Sequence, residues 1–120
     1  MNTQAVAGSN KGTGEEGPTR ELLEEIVRRI VATAKPERII LFGSVARGQA
    51  GSDSDIDLLV VKAGVSHRGR LAETIYLSLF GIPAAVDVIV VTPEDVEYFR
   101  DRMGSVIGPA LREGKLLYAA

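Results

Sequence analysis

The 120-residue sequence predicts a small α/β domain, a sheet with helices over at least one face. Three observations carry that prediction. Short apolar runs rich in β-branched residues stand at 38–42, 56–61 and 85–91; apolar residues recur at helical spacing around and between them; and Gly, Pro or capping residues mark the junctions. Composition agrees: with 45% hydrophobic and 25% charged residues and no Cys, the chain has the make-up of one ordinary domain that builds a core without disulfides.

Residues 1–18 place Gly8, Gly12, Gly14, Gly17 and Pro18 among Ser, Asn, Thr and Gln, too polar to offset the entropy of ordering, so a disordered tail is expected there and the folded domain over 19–120. Thr19 is an N-cap with Glu21 in the first turn. Leu22, Leu23, Ile26, Val27, Ile30 and Val31 then form one face of a helix that must stop before Pro36. Arg38-Ile39-Ile40-Leu41-Phe42 reads as a buried strand ending at Gly43, Ile56–Val61 as a second and Ala85–Val91 as a third. Between the last two, Leu71, Ala72, Ile75, Tyr76, Leu79 and Phe80 repeat at helical spacing, with Ser66 a cap and Gly81 and Pro83 a stop. Thr92-Pro93-Glu94-Asp95 starts another helix, with Val96, Phe99 and Met103 as its inner face before Gly104. Gly114-Lys115-Leu116-Leu117-Tyr118 reads as a fourth short strand.

The inventory narrows the chemistry. No Cys and a single His, His67, exclude thiol catalysis, disulfides and multi-His metal sites, and fit a reducing cytoplasm. Fourteen basic against sixteen acidic side chains give a net charge of −2, no footprint for gripping a nucleic-acid backbone directly. No apolar stretch approaches a membrane span or signal peptide. Carboxylates, hydroxyls and hard, oxygen-ligated metals remain.

That inventory converges on the loop between the first two strands. Gly43-Ser44 leaves a buried strand, where missing side chains let backbone amides approach an anion. Asp55 and Asp57 open the next strand one residue apart, so they share a face, about 7 Å apart along the backbone, while Ile56 turns into the core. Asp87 sits inside the third apolar run, where a buried carboxylate is costly unless paired, hydrogen-bonded or metal-bound. Three carboxylates beside a phosphate-sized loop suit two hard divalent cations, Mg²⁺ foremost with Mn²⁺ as a substitute. A P-loop is excluded because Gln49-Ala50 replaces its Lys and hydroxyl residue. An EF-hand is excluded because Leu58 and Gly64 stand where Gly and Glu are needed. Asp53 lies outside the matching spacing and reads as a turn residue. Arg47 suits either a phosphate contact or a tie on the loop, and His67 reads as a polar helix-start residue rather than a base. Arg68, Arg70, Arg100 and Arg102 read as solvated helix faces.

Gly43-Ser44, ten residues, then Asp55-Ile56-Asp57, with Asp87 on a later strand, resembles the signature of the polymerase-β-like nucleotidyltransferase superfamily. Leu41-Phe42-Gly43-Ser44-Val45-Ala46-Arg47-Gly48, Ser54-Asp55-Ile56-Asp57-Leu58 and Glu113-Gly114-Lys115-Leu116-Leu117-Tyr118 are similar, more narrowly, to minimal nucleotidyltransferases paired with HEPN toxins. The resemblance implies a nucleotidyltransferase core over 19–120 with a small mixed β-sheet flanked by helices. It implies Asp55, Asp57 and Asp87 as catalytic metal ligands, with Asp87 also helping to deprotonate the attacking hydroxyl, and Gly43, Ser44 and, in its phosphate reading, Arg47 at the nucleotide. It further implies AMP transfer from ATP to a tyrosine hydroxyl of a partner HEPN toxin; a homo- or hetero-oligomer is left open. Silent masking of the partner and AMP transfer to a small-molecule hydroxyl are the alternatives.

Overall fold

Thr19 starts the fold as its sequence position predicts: its hydroxyl accepts from the Leu22 amide at 3.1 Å, capping helix α1 (Arg20–Ala34). The helix ends at Lys35, whose left-handed backbone (φ 48°) turns the chain into Pro36. The computed structural model describes residues 18–48 and 55–120. Residues 1–17 of the tail expected over 1–18, and residues 49–54, Asp53 and Ser54 among them, lie outside the described residues.

Strand β1 (Arg38–Phe42) follows, then the short helix α2 (Gly43–Ala46), strand β2 (Ile56–Val61), helix α3 (Arg68–Ser78), strand β3 (Val86–Val91), helices α4 (Pro93–Phe99) and α5 (Ile107–Glu113), and strand β4 (Lys115–Ala119). The sheet order is β3-β2-β1-β4. β1 runs antiparallel to β2 and β4, while β2 and β3 are parallel. A parallel pair needs a crossover, and α3 supplies it. The sheet is therefore small and mixed, as the sequence leads one to expect.

Strand alternation sorts the core into two layers. Ile39, Leu41, Ile56, Leu58, Val60, Val88 and Val90 pack with Ile26 and Ile30 of α1 and Ile75 of α3. On the opposite face Ile40, Leu59, Val61 and Val91 pack with Val96, Ile107 and Ala110 of α4 and α5. Helices thus cover both faces, and Phe42 packs against the second layer.

Three expectations are corrected. The cap of α3 is His67, not Ser66: its Nδ1 accepts from the Arg70 amide at 3.1 Å. α4 carries the expected capping box, Thr92 Oγ1 accepting from the Asp95 amide at 3.0 Å and Asp95 Oδ2 from the Thr92 amide at 2.9 Å. It ends at Phe99, however, and Met103 is 99% exposed. The physical reason is α5, which comes close enough to α4 that a Cβ on Gly108 would strike the Arg100 carbonyl. Sequence reading also missed α5 itself. Pro109 interrupts its pattern, yet it stands in the first helical turn, where the missing N–H has no intrahelical role.

Candidate active site

The strand register builds the site. Phe42 pairs with Asp57 across β1 and β2, and Asp57 pairs with Asp87 across β2 and β3, so the last residue before the Gly-Ser loop and two of the three acids form one row across the sheet. Asp57 lies on the face of Leu59 and Val61, and Asp87 on that of Ile89 and Val91, beyond the reach of the helices that bury Leu59, Val61 and Val91. Asp55 stands one residue ahead of β2, exposed; Asp57 is half-buried.

Gly43 is required by its geometry. Its φ is +78°, a left-handed value, and a Cβ there would run into Asp57 Oδ2, with Asp57 Cγ 3.3 Å away. Any larger residue would be strained and would displace the carboxylate. Ser44 follows in the first turn of α2, whose leading amides have no intrahelical acceptor. Arg47 caps the far end of α2, and its Nη1 is 3.8 Å from Glu113 Oε1, so it ties α2 to the end of α5. A cavity of about 150 Å³ opens beside Gly43, lined by Phe42, Arg47, Pro109, Ala110 and Glu113. The α5 residues of that wall were not visible as site residues in the sequence.

One expectation about Asp87 is overturned. It is exposed, not enclosed by its valine neighbours: in β3 Val88 and Val90 turn inward while Asp87 and Ile89 turn out. The alternation that turns Asp87 outward removes the burial cost anticipated from the apolar run.

The electrostatic tension falls on Asp57. Burial pushes its carboxyl above the ordinary range, and the like charges of Asp87 and then Asp55 push in the same direction. Among the described residues no three His, Asp or Glu side chains close into a metal-holding group. Like charges have no electrostatic reason to converge until a cation joins them. The donors nevertheless fit such an ion: all are hard carboxylate oxygens, their mutual repulsion is what a divalent charge would relieve, and Gly43 leaves the space beside Asp57 unfilled. A groove of about 720 Å³ between α1 and β4 is lined by Leu23, Glu24, Val27, Val31, Leu117 and Tyr118 and includes none of Asp55, Asp57 and Asp87. Glu24 is the one carboxylate in its lining, so the groove does not gather the acids that a multi-carboxylate metal site needs.

The remaining polar residues behave structurally. Arg68 pairs with Asp95 at 2.6 Å and holds that carboxyl below its ordinary range. Arg100 pairs with Glu97 at 2.9 Å, and Arg102 lies 4.0 Å over the Tyr98 ring.

The nucleotidyltransferase domain family matches residues 20–113, a span that includes Gly43, Ser44, Asp55, Asp57 and Asp87. A candidate nucleotidyltransferase from Sulfolobus solfataricus, 23% identical, aligns over 82% of this chain and 78% of its own with a TM-score of 0.57. A toxin-antitoxin structure with AMP-PNP, 24% identical, aligns over 81% and 73% with a TM-score of 0.52. At these identities the two structures show a shared fold. No curated protein matches the sequence.

Proposed function

The chain belongs to the nucleotidyltransferase domain family, and from that premise we propose that it transfers AMP from ATP to a hydroxyl, that of a tyrosine on a partner HEPN toxin. The observation that carries the reading is the pair Asp57 and Asp87, register partners across two strands, with Gly43 abutting Asp57 and Asp55 just ahead of the same strand.

Asp55, Asp57 and Asp87 would hold divalent cations, Mg²⁺ foremost. When bound, these neutralise the triphosphate and polarise its phosphorus. The chain's own residues then have separable tasks. Gly43 and Ser44 admit the phosphates to the amides of α2. Asp87, exposed on the open face, accepts the proton of the attacking hydroxyl. The hydroxyl oxygen bonds to the α-phosphorus as the bond to the bridging oxygen breaks, and pyrophosphate departs with that electron pair. Arg47 at the far end of α2 would add a guanidinium suited to phosphate oxygens.

The partner reading is supported by the resemblance to toxin-paired enzymes and by the likeness to a toxin-antitoxin structure holding AMP-PNP. The test is incubation with α-labelled ATP, Mg²⁺ and the protein encoded beside it. Label should pass to the partner's tyrosine, and Asp57→Asn should lower the rate on the order of a hundredfold or more. Equal labelling by that variant would refute the assignment.

A further inference from the structure

The third acid stands on a strand at the edge of the sheet. β3 is an edge strand, paired only with β2 among the described strands, and edge strands carry a row of outward amides with no ladder partner. Asp87 is the register partner of Asp57, so any fraying of β3 would separate two carboxylates that have to act together. One side chain opposes this. The Tyr76 hydroxyl accepts a hydrogen bond from the Val88 amide at 2.8 Å, on the peptide unit that directly follows Asp87.

Tyr76 is well placed to act as an anchor because α3 is itself fixed. Its neighbour Ile75 is fully buried in the core. Arg29 of α1 donates to the Ser78 carbonyl at 3.3 Å and the Phe80 carbonyl at 2.9 Å, binding the end of α3 to α1. The link from α1 through α3 to the Val88 amide is therefore continuous.

We propose that Tyr76 is a positioning residue of the nucleotidyl-transfer site, its phenol holding Asp87 in register with Asp57 for metal binding. This rests on the functional reading above and adds to it a residue that touches neither substrate nor metal.

The test compares the whole chain with Tyr76→Phe, which keeps the ring and removes the acceptor, and with Tyr98→Phe as a control on a phenol remote from the acids. Two quantities are measured: amide exchange at Val88 by NMR, and affinity for Mn²⁺ with a non-hydrolysable ATP analogue by relaxation titration. Tyr76→Phe should speed Val88 exchange and weaken Mn²⁺ binding about three- to tenfold, the size expected of one lost hydrogen bond. In the labelling assay the loss should fall on the maximal rate and the Mg²⁺ requirement rather than on KM for ATP. Faster exchange with wild-type Mn²⁺ affinity would reduce Tyr76 to a structural strut and overturn the proposal, as would no change in either. A wild-type chain that binds no Mn²⁺ would instead overturn the functional reading, and this proposal with it.

Discussion

At Asp57, burial and the charges of Asp87 and Asp55 all favour the protonated acid. A raised folded-state pKa means that the folded chain binds the proton more tightly than the unfolded chain does. Stability is therefore lost as pH rises from the ordinary carboxylate range through Asp57's raised value. Asp57→Asn should accordingly melt higher than the native chain at pH 7 without metal, and the gap should vanish in acid where the aspartate is protonated in both states. A melting series against pH checks this, and a variant less stable at every pH would contradict it. Gly43→Ala combines a left-handed backbone with a collision at Asp57. It should cost about 1–3 kcal/mol in chemical denaturation and remove transfer activity along with the stability. Both effects follow from one juxtaposition, that of glycine and carboxylate, which the sequence spacing indicated. Which acid would be half-buried and which exposed depends on where the helices end, and no residue spacing reports that.

The elements were legible where punctuation and periodicity agreed. Thr19, Pro36, the capping box at Thr92 and the β-branched runs all sit where the reading placed them, because caps and alternation are local physics. The second half of α4 and the whole of α5 were not legible. Tertiary packing of Gly108 against the Arg100 carbonyl decides where one helix stops and the next begins, and Met103, apolar at a helical interval, is simply exposed. The local character of the capping box makes its own prediction. Thr92→Ala should lose about 1 kcal/mol of stability, or roughly 4–8 °C in melting temperature for a domain of this size, with nucleotidyl transfer at 25 °C unchanged because α4 stands at the end of the sheet opposite the acids. Loss of transfer without loss of stability would mean that α4 belongs to the site.

At the scale of the molecule, no polar or charged side chain is buried among the described residues, so folding and metal binding are separable. A chelator should abolish transfer and leave the melting temperature of the free chain in place. Conversely, Mg²⁺ and ATP together at about ten times their dissociation constant should add about 1.4 kcal/mol to stability by linkage. The net charge of −2 also acquires a local meaning in the proposed function, where the positive charge needed to admit a triphosphate would come from ions held by Asp55, Asp57 and Asp87. The central claim, that these carboxylates form one metal-dependent nucleotide site, is tested most directly by calorimetry of ATP binding to the full chain with and without Mg²⁺, repeated with Asp55→Asn. The account predicts binding by the native chain only when Mg²⁺ is present, and its loss in the variant. Equal binding without the ion, or an undiminished signal from Asp55→Asn, would contradict it.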